Sequence, residues 1–194
     1  IKFDGICMGF FGSVEQMHFA KDFLRDFAGE DTIVVVDPVL GDNGALYGCF
    51  TEEYVQAMRA LCESAQLITP NRTEAALLAG YGMDAPIETL LKALTVENVI
   101  ITGAHRGEEI GYCARLNGQY MEIFKPCLPQ TLHGTGDVFV SALCGELMNG
   151  KGMPQALKDA AEFCDDCVQK TAKRGESHWD GLAFEDKLKE GRGL

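Results

Sequence analysis

The sequence predicts an α/β fold built on a mostly parallel sheet. Two runs of β-branched and other apolar residues, 32–36 and 99–102, are typical of strands that are buried on both faces. Segments with helical periodicity alternate with such runs, and this alternation favours parallel strand order. The dipeptide Asn117-Gly118 lies between two strand-like segments and predicts a β-hairpin, which we place at the edge of the sheet.

The predicted elements follow one another as βα units. A strand within residues 1–9 leads into a helix for which Ser13 and Gln16 have the spacing of a capping box. The inward face of this helix is predicted to contain Met17, Ala20, Phe23, Leu24 and Phe27. A further strand is predicted at residues 66–69, and later helices are expected to start near Thr51, Asn71, Pro86, Asp137 and Pro154.

The composition is typical of a globular domain, and the charge excludes two classes of partner. The 194 residues are 46% hydrophobic and 24% charged, which suits one domain with its own core. A net charge of −12 argues against binding to nucleic acid or to an anionic membrane, because those surfaces need clustered Lys and Arg. The eight cysteines are scattered and indicate a reducing compartment, so we expect a soluble cytoplasmic protein.

Two groups of residues near the carboxyl end are interpreted as structural. Cys164 and Cys167 have the spacing of a metal-binding pair, but they fall within a helical pattern and no second pair accompanies them. His178 and Trp179 lie in a polar segment after Gly175. We assign no chemistry to these two side chains.

The segment Gly134-Thr135-Gly136-Asp137 has the pattern of an anion-binding helix start. Its glycines leave room around several backbone N–H groups, and the helix dipole adds partial positive charge at the same place. Asp137 falls in the first turn, where its carboxylate could accept a proton from a hydroxyl that attacks a phosphoryl group. The pattern suggests a kinase, while a plain glycine turn followed by an acidic residue is the alternative interpretation.

Polar residues follow two of the predicted strands. Asp37 ends the first buried strand, and ligands gather at the carboxyl ends of strands in open α/β sheets. Because a proline follows Asp37, a simple turn explains this residue equally well. Asn71 and Glu74 follow the strand at 66–69 with the spacing of a capping box, which explains both without a ligand.

Four separated segments of the chain match one family in the family's own order. They are residues 9–13, 37–44, 69–74 and 134–137. Together they resemble the pyridoxal (pyridoxine, pyridoxamine) kinases of the ribokinase-like superfamily, and the resemblance extends from Ile1 to about Phe184. It implies a three-layer sandwich with helices on both faces of a mostly parallel sheet, formed by residues 1–194 as one domain that covers about the carboxyl-terminal two thirds of the family fold.

The resemblance implies ATP-dependent phosphorylation of the hydroxymethyl group of a B6 vitamer, which is pyridoxal, pyridoxine or pyridoxamine. The family's catalytic base matches Asp137, which would also contact the substrate. Its anion hole matches the amides of Gly134, Thr135 and Gly136. On the pyridine side, Phe10 stands where the family commonly has Tyr, so it keeps a stacking face without the hydroxyl, and the vitamer preference stays open.

The same resemblance implies ATP and Mg²⁺ as cofactors, with a monovalent cation such as K⁺ as a further candidate. The family's acidic residue near the ATP phosphates and the metal matches Asp37, while Asn71 and Glu74 match its Mg²⁺–water network. Asp37 and Glu74 are therefore the expected carboxylates of the metal site. The nucleotide side of the cleft is expected to be lined by Thr69, Thr102 and Leu132.

Two alternatives to the B6 kinase stay open at this point. The first is a hydroxymethylpyrimidine kinase of the same superfamily, and the second is a nucleotide-binding remnant without turnover. The family's first strands have no counterpart here, so we expect further residues upstream of Ile1. Residues 81–94 look short beside the family, so we expect that residues are missing there too. The expected partners are small molecules, namely the vitamer and ATP, together with a second copy of the chain in a homodimer.

Overall fold

The computed structural model describes residues 2–128, 132–174 and 181–190. His178 and Trp179 lie outside the described residues. The chain divides into two compact units, of which the first comprises Ile1–His105 and Gly111–Glu122 and the second comprises Arg106–Ile110 and Ile123–Leu194. The expectation of one domain over residues 1–194 stays a prediction.

Strands and helices alternate along most of the described chain. The elements, in chain order, are β1 (Gly5–Met8), α1 (Val14–Phe27), β2 (Ile33–Val36), β3 (Gly41–Asp42), β4 (Ala45–Leu46), α2 (Glu52–Cys62), β5 (Leu67–Ile68), α3 (Arg72–Ala79), α4 (Ile87–Ala93), β6 (Asn98–Arg106), β7 (Glu109–Leu116), β8 (Gln119–Pro126), α5 (Thr135–Met148), α6 (Met153–Arg174) and α7 (Glu185–Glu190).

Six strands form one sheet in the order β1-β2-β5-β6-β7-β8. The strands β1, β2, β5 and β6 run parallel to one another, with Cys7 opposite Val35 and Val36 opposite Ile68. The last two strands are joined by Asn117 and Gly118, whose φ angles of 50° and 75° suit a two-residue hairpin turn. The predicted mostly parallel sheet with an edge hairpin is confirmed.

The apolar strands form the core of the first unit, as their β-branched sequences predict. The side chains of Val34, Val35 and Val36 in β2 are at most 2% exposed, and Ile100 and Ile101 in β6 are fully buried. A strand that is covered on both faces has no polar side to present to water, so an uninterrupted apolar run is stable only in such a position. The parallel order also brings the carboxyl ends of these strands to one edge of the sheet.

The Asp37-Pro38 dipeptide predicts that residues 39–44 form a loop with room for a ligand, and this prediction is wrong in part. The segment carries β3, which pairs antiparallel with β4 through a turn at Asn43 and Gly44 with φ angles of 52° and 80°. Gly41 is required for this pairing, because a Cβ atom there would lie 2.1 Å from the Ala45 carbonyl oxygen. The Asn-Gly signal was present in the sequence, but two-residue strands leave no detectable alternation.

The predicted inward face of α1 is only partly correct. Met17, Ala20 and Leu24 are buried, whereas Phe27 is 40% exposed and Phe23 is half-buried. The two phenylalanines lie at the margin of the buried stripe, where their ring centroids are 4.7 Å apart, and the Phe23 ring also lies 5.8 Å from that of Phe3. Phe23 and Phe27 therefore pack against each other and against Phe3.

The second unit contains α5 and α6, which pack against each other as predicted. Helix α5 begins two residues earlier than predicted, because Gly134 adopts a φ of 82° and caps the helix before Thr135. Cys164 and Cys167 are buried within α6, and the described part of the chain contains no group of three or more His, Cys, Asp or Glu side chains arranged to hold a metal ion. None of the helices in residues 2–128, 132–174 and 181–190 is both long and apolar enough to span a membrane.

Candidate active site

Polar side chains of the first unit meet at the carboxyl edge of the parallel strands. Asp37 directly follows β2 and Thr69 directly follows β5, and the Thr69 hydroxyl donates a hydrogen bond of 2.8 Å to the Asp37 carboxylate. Thr102 in β6 forms an isolated parallel bridge with Asn71, and its backbone N–H donates to the Pro70 carbonyl oxygen at 2.9 Å. The structure therefore brings together four of the residues that were predicted to bind ATP or its metal ion.

Glu74 joins this group through two backbone amides. Its Oε2 atom accepts a hydrogen bond of 2.7 Å from the Asn71 N–H, and the Asn71 side chain accepts one from the Glu74 N–H, which confirms the capping box. Its Oε1 atom accepts a bond of 3.1 Å from the Leu40 N–H, a residue 34 positions away. Capping does not explain this second bond, which ties α3 to the segment that follows Asp37.

Burial changes the acidity of Glu74. The side chain is 5% exposed, and this loss of water raises the pKa of its carboxyl group to about 8. The N–H groups of Asn71 and Leu40 oppose the shift because they stabilise the carboxylate, and the nearby negative charge of Asp37 adds to it. A cation beside Asp37 and Glu74, at the carboxyl edge of the parallel strands, would be stabilised by these two neighbouring carboxyl groups.

The donor set fits a Mg²⁺ ion that keeps most of its waters. Mg²⁺ prefers hard oxygen ligands and is commonly held by one or two carboxylates together with substrate phosphates. Asp37 is half-buried at the edge of the sheet, whereas both oxygens of Glu74 already accept backbone N–H bonds. Asp37 would therefore be the more direct partner, and Glu74 would act through water, with the nearby cation favouring the charged form of its carboxyl group.

We expect Glu74 to make the free energy of unfolding depend on pH. Below about pH 4.5 the carboxyl group is protonated in both states, and between about pH 4.5 and about pH 8 only the unfolded state releases the proton. The unfolded state then binds fewer protons, so this contribution to stability is lost as pH rises. Relative to Glu74→Gln, the parent should lose roughly 1–3 kcal/mol between pH 5.5 and 7.5 in urea unfolding with EDTA present.

The glutamine variant is the appropriate reference because it keeps the side-chain length and one amide acceptor of the capping box. It leaves one backbone N–H without its acceptor, which shifts its stability by about the same amount at every pH, so only the slope of the difference against pH is informative. A constant difference between parent and variant over this pH range would show that Glu74 has an ordinary pKa.

Phe10 presents an aromatic face beside the same edge of the sheet. It lies in the segment after β1, its side chain is 65% exposed, and its ring centroid is 5.8 Å from that of Phe50. Phe50 in turn stacks on Tyr54 at 3.8 Å with an angle of 10° between the rings, and Tyr47 lies 6.2 Å from Phe50. The sequence prediction missed Tyr47, Phe50 and Tyr54, although the four-residue spacing of Phe50 and Tyr54 at a helix start is a usable signal.

The second unit contains the predicted anion-binding segment. Gly134 caps α5 with no capping side chain among the described residues, and the Val138 N–H donates to the Gly134 carbonyl oxygen at 3.0 Å. The first four N–H groups of a helix have no partner within the helix, so those of residues 134–137 can donate to groups outside α5. Gly136 and Asp137 are exposed and Leu132 is half-buried, as a ligand-facing segment requires.

The fold is shared with solved kinases. The chain superposes on the pyridoxal kinase of Lactobacillus plantarum with a TM-score of 0.89 and 33% identity, over 98% of this chain and 71% of that one. It also superposes on the Staphylococcus aureus pyridoxal kinase in complex with AMP-PCP and pyridoxal, with a TM-score of 0.71 and 26% identity over 85% of this chain and 61% of that one. The predicted α/β class with a ribokinase-like fold is thereby confirmed.

The sequence comparisons narrow this class to one family. The phosphomethylpyrimidine kinase family matches residues 1–181, and the chain belongs to this family. The chain is 32% identical to the pyridoxine kinase of Bacillus subtilis over 184 residues, which cover 88% of this chain and 66% of that protein. The chain spans between about half and two thirds of the length of the curated relatives it matches.

Proposed function

We propose that the intact protein transfers the terminal phosphoryl group of ATP to the hydroxymethyl group of a B6 vitamer. The observation that carries this proposal is the start of α5, where a positive-φ glycine opens a helix that no described side chain caps and Asp137 occupies the first turn. The similarity to a pyridoxine kinase and to pyridoxal kinases supports the choice of a pyridine substrate.

In this proposal the residues of α5 act on the reacting atoms. Asp137 accepts the proton of the attacking hydroxymethyl group, because an alcohol is a weak nucleophile at neutral pH. The backbone N–H groups of Gly134, Thr135 and Gly136 donate hydrogen bonds to the phosphoryl oxygens as negative charge moves between them. These groups are already oriented by the helix, so little reorganisation is required during the transfer.

The residues of the first unit hold the nucleotide and the metal in the same proposal. Asp37 would hold Mg²⁺, Asn71 and Glu74 would orient its water ligands, and the bound ion would supply positive charge beside the ATP phosphates. The ring of Phe10 supports the vitamer from the substrate side. The nucleotide side is completed by Thr69, Thr102 and Leu132.

Location and assembly complete the proposal. We infer a cytoplasmic protein, which the scattered arrangement of the eight cysteines in the sequence supports, because disulfide-dense frameworks are typical of small secreted domains. A homodimer and a monovalent cation such as K⁺ rest on the family resemblance alone. The formation of one domain by residues 1–194 belongs to the same group of proposals.

A hydroxymethylpyrimidine substrate is the second candidate. The membership of the chain in the phosphomethylpyrimidine kinase family favours it. Both substrates are flat heteroaromatic rings with a hydroxymethyl group, so the proposed roles of Asp137 and of the α5 amides serve either one. The difference between them lies in the groups around the ring.

We expect a coupled ADP-release assay on the intact protein to show turnover with pyridoxal, pyridoxine or pyridoxamine. Hydroxymethylpyrimidine is the parallel substrate, and the Asp137→Asn variant controls for contaminating kinases. Turnover of hydroxymethylpyrimidine alone would contradict the assignment of a B6 vitamer as substrate and would establish the second candidate. ATP binding without ADP release for any ring would instead support the non-catalytic nucleotide binder.

A further inference from the structure

Two aromatic side chains, those of Phe50 and Tyr54, form a layered support for the exposed ring of Phe10. We call Phe10, Phe50 and Tyr54 the aromatic platform. Their exposure falls from 65% at Phe10 to 9% at Phe50 and 3% at Tyr54, so the platform extends from the surface into the core of the first unit. The Phe10 and Phe50 rings are tilted by 39°, whereas those of Phe50 and Tyr54 are nearly parallel. An exposed ring that is supported in this way can stack on a flat ligand without first becoming ordered.

The buried end of the platform is also bound to the segment that carries its exposed end. The Tyr54 hydroxyl donates a hydrogen bond of 2.7 Å to the carbonyl oxygen of Phe11, which lies 43 residues away in sequence and next to Phe10. Burial raises the pKa of the Tyr54 hydroxyl, so it stays protonated and can donate over the whole physiological range. Helix α2 therefore holds the Phe10–Phe11 peptide as well as the Phe10 ring.

The segment that receives this hydrogen bond has little other restraint on its backbone. Gly9 and Gly12 lie on either side of the two phenylalanines, and a Cβ atom at Gly9 would have no neighbour within 4 Å. Glycine has more backbone freedom than any other residue, so an anchor between two glycines has a large influence on the orientation of the residues between them. The Gly12 N–H donates to the Gln16 side chain at 2.6 Å and restrains the far end of the segment.

We propose that Tyr54 is a positioning residue that orients Phe10 for stacking against a heteroaromatic ring of the substrate. This inference rests on the proposed function, because it assigns Phe10 to the substrate side. Tyr54 is too deeply buried to touch the substrate itself, so it acts through the Phe11 carbonyl and through Phe50. Affinity for the ring should depend on the Tyr54 hydroxyl, whereas affinity for ATP should not.

The test is Tyr54→Phe in the intact protein, which keeps the stacked ring and removes the hydroxyl. One neutral hydrogen bond corresponds to about a 2- to 10-fold change in an equilibrium constant. We expect KM and the calorimetric Kd for the ring substrate to rise by about that factor, with KM for ATP and kcat unchanged within about twofold. The matched control is Tyr120→Phe, which removes the hydroxyl that donates to Glu122 at 2.5 Å in the edge hairpin.

A purely structural role predicts a different pattern. Partial unfolding of Tyr54→Phe would lower the concentration of active protein and thus the apparent kcat, while KM and Kd of the folded fraction would stay at the parent values. That pattern, or an equal rise in Kd for the Tyr120→Phe control, would overturn the inference. Failure of this inference can be distinguished from failure of the proposed function. A parent protein that binds a ring without phosphorylating it contradicts the proposed function. The ratio of the Kd values of Tyr54→Phe and the parent for that ring then still decides the role of Tyr54. A parent that binds none of the rings overturns both.

Discussion

Asp137→Asn is expected to lower turnover about 10²- to 10⁴-fold, the usual span for loss of a general base. Asparagine has nearly the same size and keeps the first-turn position in α5, but it cannot accept the proton of the attacking hydroxyl. ATP affinity should change little, because the proposed function assigns phosphate binding to backbone N–H groups and to the metal site, which the substitution leaves in place. Stability should change by no more than about 1 kcal/mol, since only one exposed charge at a helix N-terminus is lost.

The control for this variant is Asp22→Asn, which removes an exposed carboxylate that pairs with Arg25 on α1. Surface ion pairs of this kind contribute about 0–1 kcal/mol, so both stability and turnover should stay near the parent values. Steady-state kinetics of ADP release, with ATP binding measured by calorimetry, compares the three proteins. If Asp137→Asn retained more than about a tenth of the parent turnover, another group would have to be the base.

Gly136→Ala is expected to raise stability and to lower activity. Gly136 lies in the first turn of α5 without a positive φ, and a Cβ atom there would meet nothing within 4 Å. Alanine is the better helix former, so the free energy of unfolding should rise by up to about 1 kcal/mol. The added methyl group would occupy the space beside the α5 amides that the phosphoryl group must enter, and kcat/KM should fall about 10- to 100-fold, approaching the loss of one oxyanion donor.

Gly145→Ala is the matched control, because Gly145 lies in the same helix and a Cβ atom there also meets nothing within 4 Å. It should show the gain in stability without the loss of activity. Denaturant unfolding and ADP-release kinetics of both variants separate the two effects. Parent-like kcat/KM in Gly136→Ala would mean that the start of α5 does not receive the phosphoryl group.

Local patterns in the sequence determined much of the secondary structure and part of the site. The capping pair of Asn71 and Glu74 involves residues within one helical turn of each other, so its spacing is sufficient to predict it. The glycine-rich segment before α5 was also predicted from the sequence, although the helix begins two residues earlier than expected. The buried strand β2 follows from its β-branched composition in the same way. These features depend on interactions between neighbours in the chain, and any fold that contains the segment would preserve them.

Only the tertiary structure decided the contacts that join distant segments. The bond between Glu74 and the Leu40 N–H, and the bond between Tyr54 and the Phe11 carbonyl oxygen, connect residues 34 and 43 positions apart. They exist because the parallel order of β1, β2 and β5 brings the segments after these strands to one edge of the sheet. Strand order depends on how the whole chain buries its apolar surface. The spacing of residues within one segment therefore contains no information about strand order.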